Sequence, residues 1–212
     1  MKNKKNLRKK YYALVCAMAV LMLGGCGRPF DASKYLQAQL DNSYKNDSTL
    51  MVEQKFDTKE NGQKVYEQVL DQQVEGFFAG VDASDELKER YRAIFADMLA
   101  KADYTVGESQ KQSDGSYKVS VEYRKMKIFA PVVAEVEEKA AELSVADADE
   151  YIEQCFILMA EALETNLKNG VEYGDPQTLD VRIEIVNKTY TLNNEDLNAL
   201  TSGLFDSEAA SE

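Results

Sequence analysis

Along most of the chain, apolar residues recur three and four positions apart, and over two short stretches they alternate with polar ones. The first spacing is that of a helix with one buried face, and the second that of a strand with one buried face. Asp31 is placed to cap a helix carrying Tyr35, Leu36 and Leu40, which fades at DNSYKNDS. A second helix spans about 62–80, with Tyr66, Val69, Leu70, Val74, Phe77, Phe78 and Val81 near one side. A third opens at Ser84, with Asp85 and Glu86 favouring the positive end of its dipole, and its apolar face reads Leu87, Tyr91, Ile94, Phe95, Met98.

At 117–124 the period changes: Tyr117, Val119, Val121 and Tyr123 alternate with Lys118, Ser120, Glu122 and Arg124. Asp114-Gly115 just before it is a hairpin turn signal. Pro131 marks a break, after which a helix is expected over 132–143. Asp147 and Glu150 form a capping-box pattern for a long helix to about 169, whose expected buried stripe is Ile152, Cys155, Phe156, Met159, Leu163, Leu167. Gly174-Asp175-Pro176 reads as a turn, and Leu179, Val181, Ile183 and Ile185 then alternate as a strand. Asn193 is placed to cap a last helix with Leu197, Leu200 and Leu204. Helices interleaved with hairpins predict an α+β fold: an antiparallel sheet of three to four strands packed against several amphipathic helices. Segments 84–128 and 147–188 both read helix, short strand, turn, alternating strand, the pattern of a remote duplication.

The N-terminal 25 residues follow a different logic. Six basic residues within the first ten precede 13 uncharged, mostly apolar residues at 11–23, then Gly24, Gly25 and Cys26. A basic head, a short apolar middle and small residues at the end are the parts of a secretory signal peptide. An uncleaved membrane helix over 11–27 would have 17 residues, the short limit for crossing roughly 30 Å of hydrocarbon. Leu23-Gly24-Gly25-Cys26 resembles the lipobox of bacterial lipoproteins. That resemblance implies cleavage between Gly25 and Cys26, diacylglyceryl and palmitate on Cys26, and a membrane partner reached through that lipid. Two acyl chains hold a protein on a membrane where one releases it. The expected organisation is a signal peptide (1–25), the lipidated cysteine and a short linker (26–30), one α+β domain (31–205) and an acidic, disordered tail (206–212). The four residues after Cys26 reach only about 15 Å, so the domain is expected close to the extracytoplasmic face of the cell membrane.

Charge and composition narrow the chemistry. Removing the six basic residues of the head leaves 19 against 37 acids, a formal charge of −18. Such a surface repels phosphate backbones and excludes nucleic acid as a partner. It also opposes a domain lying flat on anionic lipid. Cys16 leaves with the signal and Cys26 is acylated, so Cys155 stands alone and the fold must rest on its core without a disulfide. Histidine is absent altogether, which removes Ser-His-Asp and Cys-His catalysis and imidazole metal sites.

The remaining motifs carry little chemistry. FDTKENGQKVYEQ places Asp57, Asn61 and Gly62 as in a calcium loop, but Lys59 and Gln68 stand where ligands are needed, so it reads as a turn before a helix. Asp147, Asp149 and Glu150 read as helix caps, as does the NNED stretch at 193–196. No metal, cofactor or catalytic residue is expected. Tyrosines on a sheet can stack on ligands, and Tyr117 and Tyr123 are the first candidates for that role. The element order and the DGSYKVSVEY hairpin resemble Gram-positive lipoproteins with cystatin-like or nuclear-transport-factor-like domains, which implies a curved sheet against helices. The expected function is a lipid-anchored extracytoplasmic binding or interaction lipoprotein of the bacterial envelope, with an envelope protein or a small ligand as partner. Two alternatives stand beside it: a small carboxylate-dependent hydrolase or isomerase with a cone-shaped pocket, and a solute-capturing lipoprotein of a transporter.

Overall fold

The computed structural model describes residues 30–145 and 147–206. The signal segment, Gly25 and Cys26 lie outside the described residues, as does the tail beyond Asp206. The described chain runs α1 (Ala32–Lys45), α2 (Thr49–Glu53), α3 (Lys59–Phe77), α4 (Asp85–Ala100), β1 (Asp103–Lys111), β2 (Tyr117–Lys127), α5 (Phe129–Ala140), α6 (Ala148–Asn169), β3 (Glu172–Val186), β4 (Thr189–Leu192) and α7 (Asn194–Leu204). The fold is α+β, with seven described helices and a four-stranded antiparallel sheet in the order β1-β2-β3-β4.

The alternation in β2 decides which face of the sheet is dry. Val119, Val121, Tyr123 and Met126 are buried, whereas Lys118, Glu122 and Arg124 face water. Register carries this face across the sheet, pairing Val121 with Val106 and Leu179, and Val119 with Val181. On the wet face, charges pair across strands, Arg124 with Asp103 and Lys118 with Asp180 at 2.6 Å. α7 packs on β2 and β3, burying Leu197, Leu200 and Leu204. α1 is buried on nearly every side because it touches β1, β2, α2, α3 and α4. The polar residues in its second half are therefore inside the protein: Asn42 donates to the Gly62 carbonyl at 3.0 Å, and a Cβ on Gly62 would sit 2.5 Å from the Asn42 amide oxygen. Only glycine lets α1 and α3 approach this closely.

Local end signals hold. Asp31, Ser84, Asp147 and Asn193 each cap the helix expected of them, accepting backbone N–H bonds from residues two or three further on. Gly115 takes φ +88 in the β1–β2 turn. The face of α4 is buried as read, from Leu87 to Met98.

α1 ends at Lys45, inside DNSYKNDS as expected, with Asn46 in the left-handed region closing it. Other expectations are corrected. Pro131 does not break the chain before a helix; it sits in the first turn of α5, where its missing N–H costs nothing. Gly174-Asp175-Pro176 is not a turn but part of β3, which starts at Glu172. Pro176 pairs with Arg124 beside an irregular register, along a length where β4 does not cover the other edge of β3, so its missing donor leaves no gap in a ladder. The duplication pattern is altered there too: α4 and α6 are each followed by two antiparallel strands, but within 147–188 there is a single 15-residue strand with no turn at 174–176.

Candidate functional site

Tyr117 and Tyr123 lie six residues apart on β2, roughly 20 Å at the rise of a strand, too far to flank one small ligand together. Tyr123 is buried under α7, its hydroxyl donating to the Gln177 amide oxygen at 3.1 Å. Tyr117 is half-buried at the turn end of the hairpin, 5.4 Å from the Phe30 ring and 5.9 Å from the Tyr190 ring.

The tightest tyrosine–carboxylate arrangement joins α1 to β1. The Tyr104 hydroxyl donates to Asp41 at 2.7 Å, and the same carboxylate accepts from the Gln37 amide at 2.8 Å. Lys45 lies 3.6 Å from Asp41 and 4.3 Å from the Tyr104 ring centre. Burial, then the Asp41 carboxylate, push the Tyr104 hydroxyl well above the ordinary tyrosine range. Each group here already has a partner, so the arrangement ties two elements together.

An open groove of about 420 Å³ runs between α4 and α6, with Asp97, Lys101 and Glu164 on its walls. Three of its four charges are engaged, Lys168 being exposed at its edge: Lys101 pairs with Asp97 at 2.9 Å, and Arg90 grips Glu164 with two bonds of 2.8 Å. Those bonds hold the Glu164 carboxyl below its usual range, the opposite of what a general acid needs. No group of three or more acidic or cysteine side chains placed to hold a metal ion occurs among the described residues.

α6 is the element with an unusual surface. Its second half behaves as its periodicity requires, burying Ala160, Ala162, Leu163 and Leu167. Its first half does not. Tyr151 and Ile152 are 39 % and 41 % exposed, and every residue of 154–159, the run Gln-Cys-Phe-Ile-Leu-Met, is only half-buried. The expected stripe is thus corrected: Ile152 is in water, while Cys155, Phe156 and Met159 are partly so. The cause is tertiary: α6 packs on α5 and α4, and Phe156 to Met159 reach the core but are only partly covered by it. Phe156 anchors it there, 5.5 Å from Phe77 and 5.1 Å from Phe78, and its carbonyl accepts from the Tyr91 hydroxyl at 2.8 Å. Cys155 is a free, half-buried thiol, and its interaction with Tyr151 one turn earlier raises the tyrosine hydroxyl above its ordinary range. Asp149, Glu150 and Glu153 are exposed around this strip. A contiguous apolar strip with an acidic rim suits a partner that is apolar and basic. The sequence signal was available: YIEQCFILMAEAL is apolar on more than one side, which a single buried stripe does not require.

No protein-family model matches the chain, and no curated protein matches it in sequence. Its fold is similar to the crystal structure of "a putative lipoprotein (ycdA)" from Bacillus subtilis, with a TM-score of 0.57 and 13 % identity. The alignment covers 83 % of this chain and 56 % of that one, so this chain matches little more than half of its neighbour's length. At that identity the likeness concerns the fold.

Proposed function

We propose that the protein is a lipid-anchored extracytoplasmic interaction lipoprotein of a bacterial cell envelope, held by Cys26. It captures a protein partner with the first half of α6. The observation that carries the interaction reading is the half-exposed run at 154–159 continuing into exposed Tyr151 and Ile152. The lipobox motif supports the anchor, and the fold shared with a protein described as a lipoprotein agrees with it. No helix among the described residues is long and apolar enough to cross a membrane, so on this reading the lipid provides the attachment. The partner's chemistry follows from the strip: apolar side chains to cover Tyr151 and Ile152, and lysine or arginine to meet Asp149, Glu150 and Glu153.

The test is made on intact cells producing the full chain. A photo-crosslinking residue in place of Ile152 is expected to give one discrete adduct, lost on adding Tyr151→Asp, a change at an exposed position of the same strip. The same residue in place of Glu122, on the wet face of the sheet, is expected to give none. Equal adduct patterns at both positions would remove the α6 reading. Palmitate labelling that persists in Cys26→Ser would remove the anchor.

A further inference from the structure

The described chain begins at Phe30, four residues after Cys26, and Phe30 is fixed to one end of the sheet. Its ring stacks on Tyr190 at 3.7 Å with an interplanar angle of 5°, and it packs on Tyr35 and Tyr117 at 5.4 Å each and on Phe56 at 6.3 Å. The Tyr35 hydroxyl donates to the Tyr190 carbonyl at 3.1 Å, fastening β4 to α1 at the same place. The emerging chain therefore leaves the fold at the end that carries the β1–β2 and β3–β4 turns.

That end has an apolar tip. Ile185 pairs with Tyr190 and Val186 with Thr189 across a two-residue turn, Asn187-Lys188, whose φ values are 51 and 67. A turn with two left-handed residues is the tight hairpin that matches strand twist, so it presents its flanking residues rigidly. Ile185 and Val186 are each 48 % exposed, more than any other large apolar residue described, and Ile185 reaches over Gly115 of the neighbouring turn. Lys188 and Lys111 flank them, both exposed, with the Lys111 ammonium 5.9 Å from the Tyr117 ring centre. Three acids stand nearby and are oriented by neutral donors that leave their charges in place: Asp114 accepts from the Ser116 N–H and hydroxyl, Glu184 from the Asn193 amide, and Asp57 from Asn61, so the two lysines offset them only in part.

We infer that this end faces the bilayer, with Ile185 and Val186 in its interfacial layer and Lys111 and Lys188 at the level of the headgroups. Three independent observations converge on it: the place where the chain to Cys26 leaves, an exposed β-branched pair on a rigid turn, and lysines beside it. β-Branched residues at a membrane boundary with cations around them match an interfacial contact. An end-on posture also keeps most of the acidic surface away from anionic lipid, where lying flat would not. The inference rests on the lipid anchor at Cys26.

The experiment uses the full chain, lipidated in a bacterial host, in a Cys155→Ala background. It is reconstituted into vesicles of phosphatidylglycerol and phosphatidylcholine, part of the latter doxyl-labelled in its acyl chain. A polarity-sensitive thiol dye is attached at Ile185→Cys, at Val186→Cys and, as the distant control, at Ile152→Cys. The expected result is blue-shifted emission at the first two positions, with most of it lost to the doxyl lipid, and unshifted, unquenched emission at the third. Incorporated palmitate with emission at Ile185→Cys and Val186→Cys indistinguishable from Ile152→Cys would overturn the orientation and leave the anchor standing. Absence of palmitate from the protein would overturn both.

Discussion

Single residues far apart in the chain close this fold. Asp206 is the clearest: its carboxylate accepts from the N–H groups of Ile128, Phe129 and Ala130 at 3.0, 2.9 and 3.2 Å, capping α5 from 76 to 78 residues away. The negative charge also sits at the positive end of the helix dipole. Asp206→Ala is expected to cost about 1–2 kcal/mol, as loss of a helix cap does, seen as a lower urea midpoint with unchanged slope. Gly203 depends on a neighbour in the opposite sense. A Cβ there would meet the Tyr123 ring at 2.6 Å, so Gly203→Ala overpacks the seam between α7 and β2 despite alanine's better helix propensity. The expected cost is about 1–3 kcal/mol. Adding Tyr123→Leu should recover part of it, making the double variant more stable than the two single costs summed. Simple additivity in a thermal melt would show that the ring is not what Gly203 accommodates.

At the scale of elements, what could be read from sequence was what neighbours in sequence decide. Asp31, Ser84, Asp147 and Asn193 announce helix starts because each bonds backbone groups within its own first turn. The β2 alternation announces a dry face because period two has no other use. What could not be read depends on partners elsewhere. Pro131 looks like a stop until Asp206 satisfies the helix start around it, and Pro176 looks like a turn until an uncovered edge makes it harmless. β4 is four residues long and owes its existence to pairing with β3. That Tyr117 joins the Phe30 group while Tyr123 lies under α7 depends on packing from distant elements, as does the half-exposed surface of α6. That last point can be tested. Ile152→Glu, at the exposed start of α6, is expected to change stability by less than about 0.5 kcal/mol, while Leu163→Ala, eleven residues along the same helix and fully buried, should cost about 2–5 kcal/mol. Chemical denaturation of both variants decides it. A large loss at Ile152 would mean that the strip is part of the core and unavailable to a partner.

The whole molecule is polar along its length. One aromatic group gathers around Phe30 at the hairpin turns, and a second around Phe77, Tyr91 and Phe156. α3, whose 19 residues extend about 28 Å, starts just after Phe56 of the first group and ends at Phe77 of the second, so the two lie at opposite ends. On the function proposed above, the anchor would lie at one end and the apolar strip at the other, which suits a protein that stands on a surface and reaches outward. Its pH response follows from composition and environment together. With no histidine, no side chain has an ordinary pKa between 5 and 8, so stability should be flat from about pH 5.5 to 8. Below that plateau, the bonds from Arg90 to Glu164 and from Arg92 to Glu67 matter, because they hold both carboxyls below their unfolded values. A lowered pKa contributes stability above the unfolded value, about 4.3, and that contribution is lost as pH falls through the folded one. Both side chains are partly in water, which keeps their share modest. Above the plateau, burial raises the hydroxyls of Tyr35, Tyr91 and Tyr104. A raised pKa contributes stability that is fully present below the unfolded value, about 10, and is lost as pH rises through the folded one. Melting temperature followed from pH 3 to 11 at constant ionic strength should therefore trace a level top with two falling edges. On the alkaline edge, the absorbance of ionised tyrosine should show a late step that coincides with unfolding. A melting temperature that slopes between pH 6 and 8 would require a group titrating there that composition does not supply.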